Sequence, residues 1–159
     1  LAHVKKIPPQ LTTDTAKQHI DLETVKAVIQ ARFKVMAHFA HEVMFKVHAD
    51  ELSKLGRGDK EKLNLIKKAK RLMVREAGLL DETARQQLHT ALEQNQELHK
   101  VYTMKQKLAD IWKRSATTQE HLIRALQEWC KEAEESGIQA LHRFSAKLRT
   151  YSLVPATTA

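Results

Sequence analysis

The chain has 159 residues, 42% of them hydrophobic and 29% charged, and a net charge of +8. That balance suits one folded domain and excludes a disordered tail. Its single cysteine excludes both a disulfide framework and a zinc site built on paired thiolates. No apolar run approaches the roughly 18 residues needed to span a bilayer, and the start does not read as a signal peptide. Gly, Pro and aromatic residues are scarce, while Ala, Leu, Lys, Glu and Gln, which lose little freedom in a helix, are abundant. An all-α chain is expected. The positive surplus favours acidic partners: nucleic acid, anionic lipid headgroups or an acidic carrier protein.

Residues 1–20 lack sustained periodicity and contain Pro8 and Pro9 behind Lys5, Lys6 and Ile7. They read as a stiff linker, and a start at Leu1 predicts a longer parent chain. Asp21 is placed to cap a long first helix, in which Val25, Ile29, Phe33, Met36, Ala40, Val43 and Val47 step by three or four to about Leu55. Gly56, Arg57, Gly58 and Asp59 supply a turn and a cap. A second helix follows through Leu63, Ile66, Ala69, Leu72 and Met73 to about Ala77, where Gly78 ends it. Asp81 opens a third helix with Ala84, Leu88 and Leu92 inward, and Asn95 marks an uncertain boundary with a fourth carrying Leu98, Val101, Met104, Leu108 and Ile111. Thr117 and Glu120 form a capping box for a fifth helix with Leu122, Leu126, Trp129 and Ala133 on one face. Ser136 and Gly137 break it, and a sixth segment uses Ile138, Leu141, Phe144 and Leu148 before a tail at 153–159 that contains Pro155. Nothing alternates with period two, so the expected fold is an elongated antiparallel bundle of five or six helices over 21–152, with a long first helix.

Several side chains invite chemistry. His38, His41 and His48 are spaced to lie near one helical face beside Glu42, as metal ligands can be, yet no second ligand motif accompanies them. They are therefore expected to be structural. Cys130 is surrounded in sequence by Glu128, Glu132, Glu134 and Glu135, which disfavours a thiolate and predicts a packing role. Tyr102, Trp112, Trp129 and Phe144 fall at or beside inward positions and read as core. There is no Gly-rich phosphate loop, nucleophile elbow or Ser/His/Asp arrangement, so no catalytic residue is assigned. The strongest local signal is basic: Lys60, Lys62, Lys67, Lys68, Lys70, Arg71 and Arg75 stand against the single acid Glu61. Lys67, Lys68, Lys70, Arg71 and Arg75 are the candidate partner-docking residues, on a helix face opposite Leu63, Ile66, Ala69 and Met73.

Five stretches, LAHVKKIPP, ARFKVMAHF, KRLMVREAGLLD, VYTMKQKLADIW and QEWCKEAEESGIQALHRFSAKLRTYSLVP, together resemble the carboxy-terminal soluble extension of bacterial membrane-bound fatty acid desaturases of the DesA type. The resemblance implies a parent oxidoreductase of lipid metabolism that inserts a double bond into an acyl chain with a di-iron centre and dioxygen. The iron-binding histidine clusters of that family do not occur here, so the resemblance implies a non-catalytic cytoplasmic domain with no cofactor of its own, at the inner membrane. Its basic helix would then dock an acidic carrier or electron-transfer protein, or the anionic membrane surface.

Two further readings compete. Met104 to Arg149 looks loosely like the carboxy-terminal helices of some insertion-sequence transposases, which implies nucleic acid as partner, although the cationic cluster lies outside that stretch. The long first helix also fits a scaffold that pairs with its own copy as a homodimer.

Overall fold

A computed structural model describes residues 20–56, 58–113 and 118–152. Among the described residues every regular element is a helix: α1 (Leu22–Gln30), α2 (Arg32–Phe39), a π-helical segment (Ala40–Met44), α3 (Phe45–Lys54), α4 (Lys60–Val74), a 3-10 turn (Ala77–Leu79), α5 (Glu82–Glu93), α6 (Gln96–Lys113), α7 (Gln119–Glu135) and α8 (Gln139–Arg149). The all-α bundle expected from periodicity is therefore the observed architecture. The proposed linker (apart from Ile20), Arg57, Thr117 and the tail at 153–159 lie outside the described residues. Ile20, which the pattern assigns to the linker, is buried in the core.

Short acceptor side chains start the helices as capping chemistry requires. Asp21 accepts from the Thr24 amide at 2.8 Å, Asp59 from Lys62 at 3.0 Å and Asp81 from Ala84 at 2.8 Å. Asn95 does the same for α6 through Leu98 at 3.0 Å. Each such bond satisfies an amide that the helix leaves unpaired, for about 1 kcal/mol. For α7 the observed cap is Thr118, which accepts from His121 at 3.2 Å, one residue beyond the position that the capping box suggests. Gly137, at φ 80°, provides the left-handed residue that separates α7 from α8.

The long first helix is present, with two internal irregularities. Residues 22–54 run on as one rod, but Ala31 (φ −100°, ψ 22°) distorts it and the π segment widens one turn. The π segment changes which side chains face inward beyond it. Val25, Val28, Val35, Phe39, Val43, Met44 and Val47 are buried, whereas Phe33, placed inward by the three-to-four spacing, is 78% exposed. A π turn advances less per residue than an α turn, which lets both Val43 and Met44 follow Phe39 into the core. The second helix also stops earlier than Gly78, at Val74, because the chain turns extended at Arg75 and Glu76.

α7 and α8 form a tight hairpin, α6 packs on α7, and the 22–54 rod contacts α4, α6, α7 and α8. At the centre Phe39, Trp129 and Phe144 meet edge to face, with centroids 5.1 to 6.0 Å apart. The Trp129 indole N–H donates to the Met104 carbonyl at 2.8 Å, so α2, α6, α7 and α8 converge on one cluster. Polar groups that enter the interior are paired. Buried Glu51 accepts from Asn95 at 3.0 Å and from Lys54 at 2.8 Å. Glu134 accepts from Ser145 at 2.8 Å and from Arg149 at 2.6 and 3.0 Å, which ties α8 back onto α7.

A cationic helix as the candidate functional site

α4 is amphipathic in an unusual sense, because its outward face is almost purely basic. Ile66, Ala69 and Met73 are buried, and they seat the helix against α5, α3 and the π segment. At about 100° per residue, Lys60, Lys67, Lys68 and Arg71 fall on the opposite side, and all four are exposed. The stripe extends along a 15-residue helix, roughly 22 Å in length. Lys70 lies nearer the boundary, where its ammonium sits 4.8 Å from the centroid of the Phe45 ring. Arg75, exposed, follows the last turn. Thus the five docking candidates occupy one helix and its C-terminal end, with Lys70 set apart by its aromatic partner.

Charge pairing distinguishes α4 from its neighbours. Lys26, Lys46, Lys54, Arg85, Lys100, Lys107, Lys147 and Arg149 each have a carboxylate within 4.0 Å. Among the described residues, no ion pair engages Lys60, Lys62, Lys67, Lys68, Lys70, Arg71 or Arg75. Lys60, Lys67, Lys68, Arg71 and Arg75, all exposed, thus present unpaired charge to solvent, where it attracts anions over about a Debye length.

Two contacts hold this helix from beneath. The His48 ring nitrogen Nε2 lies 2.7 Å from the Ile66 carbonyl, which can only accept, so Nε2 carries the proton. Burial lowers the His48 pKa, the Ile66 bond opposes that, and the nearby Lys70 charge lowers it further, which favours the neutral ring. At the far end Lys105 of α6 donates to the Met73 and Arg75 carbonyls at 2.9 and 2.8 Å. That ammonium offsets the negative end of the α4 dipole. Burial, followed by the charge of Lys113, lowers the Lys105 pKa.

The three histidines are not brought together. His38 and His41 are exposed, His41 stands edge to face with Phe45 at 5.2 Å, and His48 is turned into the core. Among the described residues no group of three or more His, Cys, Asp or Glu could hold a metal ion. Cys130 is fully buried, with burial pushing its thiol up to about 11, and packs as expected. Tyr102, Trp129 and Phe144 are core residues, and Trp112 is half-buried at its edge. Sequence reasoning overlooks Lys105 as the cap of α4. Its only signal is a lysine directly after inward Met104, on the flank of the stripe.

The class defined so far is an all-α bundle that presents one unneutralised cationic helix. The family model of the ISL3-type DDE transposases matches residues 18–153, and the chain belongs to that transposase family. It is also 29% identical over 163 residues to the transposase for insertion sequence element IS1001 of Bordetella parapertussis, a match that covers 94% of this chain. The chain spans 39% of the length of that curated relative. No solved structure matches it.

These matches overturn the desaturase resemblance, and with it the oxidoreductase parent of lipid metabolism; the di-iron centre and the location at the inner membrane, which that resemblance alone implied, lose their support. Where the quoted stretches fall among the described residues they are mostly helix, whose Ala, Leu, Lys and Glu recur in many unrelated bundles for the same packing reason. Among the described residues no helix is long and apolar enough to cross a membrane. An acidic carrier, an electron-transfer protein and an anionic membrane as partners lose their support together with the desaturase. The weaker transposase likeness, drawn over Met104 to Arg149, was too narrow: the family match takes in the whole of α4, so the cationic cluster lies inside it.

Proposed function

We propose that this chain is a helical module of an ISL3-type transposase, and that α4 lays its basic face along the phosphate backbone of DNA. The observation that carries this reading is the row of exposed cations on α4 that lack carboxylate partners, within a chain whose other helices neutralise many of theirs. Its family supplies the polyanion that such a row would meet. Phosphate contacts of this kind position a protein on a duplex without reading its sequence, and no helix here needs to enter a groove for them to form.

The cutting and joining of DNA strands belongs to the complete transposase. Nucleases and polymerases commonly perform such chemistry with carboxylates that hold paired metal ions. The described residues do not fit such a site, and no cleavage step is assigned to them. At the start of the basic row Glu61 stands in the first turn of α4 and Asp59 is occupied as its cap.

The test is the salt dependence of duplex binding by this chain. If about four of the α4 cations each neutralise a phosphate, log affinity should fall against log salt with a slope of about −3.6, or roughly 150-fold between about 50 and 200 mM. Replacing Lys67, Lys68, Lys70 and Arg71 by Gln should flatten that slope by at least about two and weaken binding without regard to sequence. An unchanged slope in the quadruple variant refutes the role of α4.

A further inference from the structure

Resting on the reading of α4 as a phosphate-binding helix, we infer that the groove at its C-terminal end takes an unpaired nucleotide, with the base stacked on Phe33. The groove encloses about 650 Å³ between α2, the residues following α4, and the C-terminal half of α6. Phe33 and Trp112 line it, as do the cations Arg32, Lys105 and Lys113, against the acids Glu76 and Asp110.

Three observations single out this occupant. First, Phe33 is 78% exposed, although hydrophobic spacing would bury it. A large aromatic face left in water is uncommon, and it presents a π surface that any base can cover. Second, the Arg32 guanidinium already stands over one face of that ring, 4.8 Å from its centroid, so a cation is stacked on the aromatic that would receive the base. A phosphodiester beside the base would find Arg32 and Lys113 as counterions. Third, the groove continues the basic row: Val74 and Glu76 line it on either side of Arg75, whose carbonyl is held by Lys105. Without that ammonium, the carbonyl end of α4 would repel a phosphate at the junction. A duplex lying along α4 would therefore deliver its end, where strands can separate, to the Phe33 ring.

The experiment compares a blunt duplex with the same duplex carrying a short single-stranded tail, by fluorescence anisotropy, using this chain and its Phe33→Ala and Phe33→Trp variants. The unmodified chain should bind the tailed duplex roughly five- to 150-fold more tightly than the blunt one, the range expected for stacking of one base. Phe33→Ala should lose that preference yet keep its affinity for blunt duplex and its salt slope, while Phe33→Trp should retain the preference. Because the side chain is exposed, neither substitution threatens the fold. Absence of a tail preference in the unmodified chain, or its persistence in Phe33→Ala, overturns the inference and leaves the α4 reading intact. Failure to bind blunt duplex at all removes both. If Phe33→Ala changes only the sedimentation behaviour, from dimer to monomer, the exposed ring serves a contact between copies and the nucleotide site is refuted.

Discussion

Replacing Trp129 by Ala tests whether the aromatic cluster is the point on which the bundle turns. The indole is 3% exposed, meets both Phe39 and Phe144 with centroids 6.0 Å away, and donates its N–H to the Met104 carbonyl. Its removal deletes the junction of α2, α6, α7 and α8 at once, and a cavity of that kind costs about 3–5 kcal/mol. Against a total stability of roughly 5–15 kcal/mol this is a large fraction, equivalent to a fall in Tm of about 6–20 °C. Trp129→Phe keeps one ring in the cluster and loses the hydrogen bond together with the volume of the second ring. The Met104 carbonyl lies within the α6 ladder and retains a partner there, so the lost bond should cost about 1 kcal/mol and the smaller ring about 1 kcal/mol more. Urea unfolding followed by circular dichroism separates the two, provided that m is unchanged. If Trp129→Ala costs less than about 1 kcal/mol, or Trp129→Phe costs as much as Trp129→Ala, the cluster is not the centre of the fold.

Stability should fall towards acid in two phases. The folded-state pKa of His48 lies below the ordinary value of 6.5, so the unfolded chain takes up its proton first, and stability declines as pH drops below 6.5. Burial by itself would raise Glu134, but hydrogen bonds from Arg149 and Ser145 hold its pKa below 4.5, so its contribution is present above that pH and is lost as pH falls through the depressed value. His48→Gln, which keeps a donor for Ile66, should abolish the first phase and spare the second; an unchanged pH profile would refute the assignment. Cys130, buried with its thiol pushed up to about 11, should resist a thiol reagent until the chain unfolds, and labelling of the native state on mixing would contradict its placement.

Much of this architecture is legible in the amino-acid order because its causes are local. Asp21, Asp59 and Asp81 each place a carboxylate three residues ahead of an amide that needs an acceptor, and all three cap as read. Leu98, Val101, Met104, Leu108 and Ile111 face inward because α6 is an undistorted helix whose phase can be counted, and the same holds for Ile138, Leu141, Phe144 and Leu148. The basic row was legible as well, since seven cations with a single acid in 16 residues cannot be balanced from within their own segment. Its partner was not. Charge attracts any polyanion, and the desaturase resemblance rested on helical wording that packing imposes on unrelated proteins.

What the sequence by itself determined was the set of helices, their starts, and the existence of one face that the chain does not neutralise locally. Tertiary structure decided the rest. The widened turn at Ala40–Met44 moves the buried stripe round the rod: Val25, Val28, Val35 and Phe39 hold one helical phase, with Phe33 outside it, and Val43, Met44 and Val47 follow on another. Only the assembled bundle sets Lys105 beneath the carbonyl end of α4, and only there do Phe33, Arg32 and the end of the basic helix border one groove. A local pattern records the period of a helix. Where that period is interrupted, the direction of each side chain depends on what packs against it, and no stretch of sequence carries that information alone.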